Sequence, residues 1–327
     1  MGGITVRISP EMLAAQSEVT GFRPDILTKV GHLLQLLNAI HSHPILKGKL
    51  VLKGGTALNL FMFDVPRLSI DIDLNYVGEV NREAMIAERP KIERALQAVF
   101  SREGFTARGV PNEHAGGKWR LRYSSAGDQG VNLEVDVNFM FRIPLWPVKT
   151  MDSKTIGVWQ ANGIQVMDIH ELAVGKLAAL LSRHQARDLF DCSRIFRLGG
   201  LNWEKLRLAF VVYGAMNRRD WRKVTFKEVA LDIKDFEQKL LPTLRSTELG
   251  TMQLSLFVKD LVDDCRNGLK DLLPFTEIEM EFLNLVLDKG EIVPDLLTTD
   301  KDLQNRIGLH PLLEWKVLNV KAYKDNR

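Results

Sequence analysis

Two hydrophobic rhythms divide this chain. Residues 24–44 (PDILTKVGHLLQLLNAIHSHP) place apolar side chains at Ile26, Val30, Leu33, Leu34 and Leu37. That spacing repeats along one side of a helix, and Pro24 suits a first helical turn. Leu50 to Leu52 is a short β-like run ending at Gly54-Gly55. The Ala- and Leu-rich stretch after Thr56 predicts a helix, so the glycines fall at a strand-to-helix turn. Leu68 to Tyr76 (LSIDIDLNY) alternates strictly. Ile70, Ile72 and Leu74 face one way, while Asp71, Asp73 and Asn75 face the other. Residues 82–102 predict a helix, and 118–143 a hairpin with its turn at Ser124 to Gly130. The second hairpin strand sets Glu134, Asp136 and Asn138 opposite Leu133, Val135 and Val137. A further strand is expected around Ile164 to Met167. Asp168 then has the character of a helix N-cap, with Glu171 at the capping-box position. From there the pattern is almost entirely helical. The expected fold is an α/β (α+β) domain with a small mixed sheet over 1–165, followed by an all-helical domain over 166–327.

Asp71 and Asp73 are two apart in a strand, so both leave the same face. Adjacent carboxylates repel, and a divalent cation removes that cost. Magnesium favours a few carboxylates together with phosphate oxygens, and two such ions can align an attacking hydroxyl with a leaving pyrophosphate. Asp136, in the second alternating strand, is the candidate third ligand and proton acceptor. Glu134 on the same face is its rival. A lone DxD is also compatible with a merely solvated face. At the Gly54-Gly55-Thr56 turn, glycine backbone lets N–H groups approach a phosphate, and the Thr56 hydroxyl could donate to one. No GK[ST] follows, so this is not a Walker motif.

The composition changes little. With 327 residues, 45% of them hydrophobic, the chain has the length of about two domains. A net charge of +3 permits nucleic-acid contact without demanding it. Cys192 and Cys265 lie in no zinc-type spacing and are expected as small core residues in a reducing compartment. No signal core or membrane-length apolar run occurs, which predicts a soluble cytoplasmic protein without membrane contact.

The glycine turn, the helix and the strand carrying hDhDh occur together, and that combination resembles the polymerase-β-like nucleotidyltransferase superfamily. The fuller string LKGGTALNLFMF…RLSIDIDLN resembles the AbiEii/AbiGii toxin family, with Arg67, Ser69, Asp71 and Asp73 matching its R-x-S-x-D-I-D-L pattern. Lys176, Arg187, Asp188 and Asp191 match a lysine followed by R-D-x-x-D, and HPLLEWK (310–316) is similar to the family's tail. The resemblance implies an NTP-dependent nucleotidyltransferase toxin with two Mg²⁺ ions, and an antitoxin encoded nearby. In some relatives the acceptor is the tRNA 3′ end. It makes Asp191 the acidic partner of Lys176 at the nucleotide.

On a continuous helix at about 100° per residue, Lys176, Arg183 and Arg187 share one face and Asp191 lies near it. Asp188 lies ~120° from Lys176 and is expected to pair with another basic neighbour. Lys176, set among Ala and Leu, is the candidate triphosphate clamp, with Arg187 beside it. Removing Asp71, Asp73 or Lys176 should abolish transfer without unfolding the chain. Ten basic residues from Arg183 to Lys223, with Trp203 and Trp221 among them, form a candidate tRNA face or a solvated helical surface. Lys118, Arg120 and Arg122 form a second basic strand, or an edge strand kept soluble by charge. The rival functions are transfer to a protein hydroxyl or an aminoglycoside-like molecule, and a non-catalytic nucleotide-binding module.

Overall fold

The computed structural model describes residues 9–110, 116–123 and 130–325. Most of the expected hairpin turn, Ser124 to Gly130, lies outside them. Contacts divide the chain into two units. The first comprises Met1–Phe139, Val148–Val166 and Leu241–Gly250; the second comprises Met140–Pro147, Met167–Leu240 and Thr251–Arg327. The sequence places one cut near residue 165, whereas two short segments change sides. Glu171 holds the first of them, accepting the backbone N–H groups of Leu145 at 3.0 Å and Trp146 at 3.2 Å. Backbone bonds hold the second: Leu68 N–H donates to the Thr243 carbonyl at 2.8 Å, and Arg245 N–H to that of Pro66 at 3.0 Å.

The first unit begins with helices α1 (Pro10–Thr20) and α2 (Pro24–Ser42). Strand β1 (Leu50–Lys53) runs directly into α3 (Gly54–Ala57) and a π-helical turn, Leu58–Met62. Then follow β2 (Asp71–Tyr76), α4 (Arg82–Arg102), β3 (Phe105–Val110), β4 (Gly116–Tyr123), β5 (Val131–Asn138), β6 (Lys149–Met151) and β7 (Ile164–Val166). The strands form one mixed sheet in the order β3-β4-β5-β2-β1-β7-β6. β2 pairs parallel with β5 and antiparallel with β1; β4 is antiparallel to both β3 and β5. Helices α2 and α4 pack on the sheet. Trp119 and Leu121 of β4 are buried on that side, with the Trp119 ring 5.9 Å from Phe100 of α4. The alternate positions of β2, β4 and β5 therefore point away from these helices, and they carry the charged residues.

Two elements escape the hydrophobic pattern. Helix α1 buries no residue, so nothing imposes a periodicity on it; Ser9 caps it and Pro10 opens it. β3 (FTARGV) has Phe105 as its buried aromatic and otherwise small or polar residues. Because β3 is present, β4 is an interior strand and not the edge strand its charges could imply.

In the second unit α5 (Ile169–Arg183), α6 (Ala186–Arg197) and α7 (Trp203–Ala215) come first. Helices Leu254–Lys270, Glu277–Asn284, Lys301–Gly308 and Pro311–Asp325 are the longer ones that follow. Among the described residues no helix is long and apolar enough to cross a membrane. Cys192 and Cys265 are unbridged and fully buried, and burial raises both thiols well above their ordinary pKa.

Candidate active site

The register of β2 and β5 builds the carboxylate cluster. Asp73 lies opposite Asp136 and Asp71 opposite Glu134, so all four share one face. Lys53 of β1 lies opposite Asp73 from the other side, and Lys118 of β4 opposite Asp136. Glu134 does not compete with Asp136 on equal terms. Lys118 Nζ sits 2.6 Å from its Oε2, and Arg120 Nε 3.2 Å from its Oε1. The Lys118 hydrogen bond holds the Glu134 carboxyl below its ordinary pKa, and the same bond raises that of Lys118. Asp136 moves the other way. Burial raises its pKa and the charges of Asp73 and Glu134 add to this, against the pull of Lys53 and Lys118. Asp136 and Glu134, on one face, are thus shifted in opposite directions by their surroundings.

The glycine turn lies against the same cluster. Gly54 has φ +73°, and a Cβ there would collide with Asp73 Oδ2. The turn thus brings bare backbone against a carboxylate edge, which is the use of glycine at a crowded site. Gly54→Ala should lower stability by about 1–2 kcal/mol for the left-handed backbone. It should lower transfer by about 100-fold through displacement of Asp73. A thermal melt and a kcat/KM measurement check the two together.

Thr56 has another task than the one expected. It is fully buried, and its hydroxyl donates to the Asp71 backbone carbonyl at 2.5 Å rather than standing ready for a phosphate. It ties the turn to β2. Gly55 is buried too, and its carbonyl accepts Asn59 Nδ2 at 3.0 Å. Arg67 is 2% exposed, donates to the Leu68 carbonyl at 3.3 Å and bridges through its backbone to Leu244. Ser69 is buried as well. Both residues serve the segment leading into β2.

As they stand, no three His, Cys, Asp or Glu side chains among the described residues converge on a point that could hold a metal ion. The donors are nevertheless of the right kind. Magnesium is usually held by one or two carboxylates with waters and substrate phosphates, not by a complete protein cage. The Asp73–Asp136 pair on an open face suits an ion that arrives with a triphosphate.

In the second unit the helix carrying the lysine motif is interrupted. α5 stops at Arg183, His184 adopts the left-handed conformation (φ 52°, ψ 37°), and α6 starts at Ala186. The angles of a continuous helix therefore do not apply. Lys176 Nζ lies 3.0 Å from Asp188 Oδ1 and 2.9 Å from Asp191 Oδ2. Arg183 Nε reaches the other Asp188 oxygen at 2.6 Å. So Asp188 meets Lys176 after all, and it meets Arg183 as well. Asp188 is 1% exposed and Asp191 0%. Burial opposes the Asp188 charge, yet Lys176 and Arg183 outweigh it and hold the carboxyl below its ordinary pKa. Removing Lys176 would take a cation from beside two buried carboxylates, contrary to the expectation that it leaves folding untouched. Arg187 is half-buried, beside the N–H of Ala186 that donates to Asp235 Oδ2 at 2.7 Å.

The chain matches the family model described as "Nucleotidyl transferase AbiEii toxin, Type IV TA system" over residues 35–279. The chain belongs to the AbiEii nucleotidyltransferase toxin family. It is therefore an NTP-dependent nucleotidyltransferase, and the family implies a cognate antitoxin. The fold is similar to that of MenT4, a nucleotidyltransferase toxin from Mycobacterium tuberculosis. The TM-score is 0.53 at 16% identity, covering 96% of this chain and 98% of that one. No curated protein matches the sequence.

Within this AbiEii-family chain the long basic stretch is largely neutralised from inside. Arg183, Arg197, Arg207, Arg219, Arg222 and Lys223 all form ion pairs, with Asp188, Asp264, Glu279, Glu228 and, for the last two, Asp220. Trp221 is fully buried, whereas Trp203 is exposed and stacks on Phe196 at 6.2 Å. Sequence reasoning missed Lys53, whose charge acts on Asp136. Its one signal was its place immediately before the glycine turn.

Two buried groups outside the carboxylate face carry opposite pH signatures. Glu171 is drawn away from the capping role by Leu145, Trp146 and the Tyr213 hydroxyl, which donates at 3.0 Å; Asp168 caps α5 unaided through His170 N–H. Burial pushes the Glu171 carboxyl up to about 7, against these three donors. His310, in the expected family tail, is pushed down to about 3 by burial, with Arg142 adding to it. Glu171 binds its proton more tightly when folded. Its contribution is complete below 4.5 and is lost as pH rises toward 7. The His310 contribution is complete above 6.5 and is lost as pH falls toward 3. Each slope is about 1.4 kcal/mol per pH unit, so in the intact protein they cancel where the windows overlap. Glu171→Gln should unmask stability rising with pH there, and His310→Asn stability falling with pH. Denaturant titrations across that interval check both signs; two variants with the intact protein's flat profile would refute the pairing.

Proposed function

We propose that this toxin transfers a nucleoside monophosphate from an NTP to the 3′ end of a tRNA, by in-line attack of the terminal hydroxyl on the α-phosphorus. The observation that carries this reading is the Asp73–Asp136 register with the Gly54 backbone pressed against Asp73. Asp71, Asp73 and Asp136 would hold divalent cations, Mg²⁺ by the preference of hard oxygen donors. Bound there, the cations would offset the carboxylate repulsion and polarise the phosphates. Asp136, opposite Asp73 in the register, accepts the attacking hydroxyl's proton. Backbone N–H groups at Gly54 and Gly55 orient the triphosphate, and Asp73 fixes the turn that presents them. The family resemblance assigns Lys176, Arg187 and Asp191 a nucleotide-binding role as well; within their own unit Asp191 holds the Lys176 ammonium at 2.9 Å.

The test offers each α-³²P-labelled NTP with Mg²⁺ to separate pools of tRNA, protein and aminoglycoside. Label on tRNA that survives protease and is lost to 3′ exonuclease supports the reading. Label confined to protein or aminoglycoside replaces the acceptor; no label in any pool refutes transfer to these classes.

A further inference from the structure

The carboxylate face continues outward into a basic one. Lys118, Arg120 and Arg122 alternate along β4 on the same side as Asp136 and Glu134, which lie opposite Lys118 and Arg120. Arg108 of β3 lies directly opposite Arg120 on that side, and Arg122 stands between Asn132 and Thr106. The charge is graded. Nearest Asp136, Lys118 and Arg120 are both engaged by Glu134. Further out, Arg108 and Arg122 are exposed and form no ion pair among the described residues. Like charges directly opposite on neighbouring strands destabilise a sheet, so the Arg108–Arg120 juxtaposition works against the fold that carries it. An anion laid across the pair would remove that cost.

We propose that Arg108, Arg120 and Arg122 form a track for the phosphodiester backbone of the acceptor, a single-stranded RNA end leading to Asp136. This rests on the reading that the acceptor is RNA. Side chains on one strand face repeat about every 7 Å, so Arg122 lies about 14 Å along β4 from the level of Asp136. Successive phosphates of an extended strand can meet Arg122 and the Arg108–Arg120 pair while the terminal hydroxyl advances to Asp136. Glu134 offsets one of the two inner positive charges, so the attracting charge is strongest short of the carboxylates. A linear, regularly spaced polyanion matches this row better than an acidic protein surface.

Fluorescence anisotropy of the intact chain with a fluorescein-labelled single-stranded RNA of about 12 nucleotides tests the track, without NTP or metal. The double variant Arg108→Gln/Arg122→Gln should raise Kd at least tenfold. It should reduce the slope of log K against log salt by about 1.4, as for two lost phosphate contacts on a single strand. Its thermal midpoint should be equal to or above that of the intact protein, which a structural role for these arginines would not give. Unchanged affinity and salt slope in the double variant overturn the track, as does an intact protein that does not bind the RNA or that binds labelled polyglutamate more tightly. The assay involves no transfer. Failure here with label still incorporated leaves the nucleotidyltransfer reading standing, and loss of labelling with RNA binding preserved does the reverse.

Discussion

Asp73→Asn should lower nucleotidyl transfer by about 1,000-fold or more while leaving the melting temperature unchanged or slightly raised. Losing a charge that binds the cation removes several kcal/mol of transition-state stabilisation, and each 1.4 kcal/mol is about tenfold in rate. The fold has no matching loss. Asp73 faces Asp136 in the register and raises its pKa, so neutralising Asp73 relieves a repulsion. The amide keeps the shape that lies against Gly54. Glu134→Gln is the comparison that gives the result meaning. Glu134 sits on the same face but is engaged by Lys118 and Arg120, and its loss should cost transfer less than about tenfold. Initial rates with α-³²P NTP and total tRNA, with a thermal melt of each variant, check both. Equal losses at Asp73 and Glu134 would show a generic effect of negative charge on this face and would sink the assignment.

The second large effect is on folding. Lys176→Met should destabilise the chain by about 3–5 kcal/mol, because it removes one member of a buried ion cluster and leaves its partners in low dielectric. Asp188 retains Arg183, while Asp191 loses the ammonium 2.9 Å away. For a unit of this size that is a fall of roughly 10 °C in the melting temperature. Adding Asp191→Asn to Lys176→Met should recover part of the loss, since the second change removes a buried carboxylate that faced the lost ammonium. Activity should not return with it. Measured below both melting transitions, the double variant should have a KM for NTP raised well above that of the intact enzyme. Recovery of transfer together with stability would make Lys176 purely structural. A Lys176→Met melt superimposable on the parent would mean that the buried cluster contributes nothing.

Much of the sheet unit could be read from its residues because strands write their faces into the sequence. The alternation at 68–76 and 131–138 assigns Asp71, Asp73, Glu134 and Asp136 to polar faces before any pairing is known. α4 and α2 follow from helical periodicity in the same way. Where an element buries little, as α1 and β3 do, no rhythm is imposed and none was legible. The cost of missing β3 was specific: it hid Arg108 and made β4 resemble an edge.

By itself, the sequence determined which residue types meet which faces, the glycine turn before the acidic strand, and the motif that marks the family. Local geometry suffices for those, since a strand's period and a turn's need for glycine involve only near neighbours. The tertiary structure alone shows how the surroundings of Asp136 and Glu134 differ, because that difference depends on cations brought alongside by β4. It also turned Thr56 inward to the Asp71 carbonyl and drew Glu171 from its cap to Leu145 and Trp146. The break at His184 brought both Asp188 and Asp191 to Lys176. In each case a polar side chain had several possible partners along the chain, and burial selected the one that left the fewest charges and donors unsatisfied.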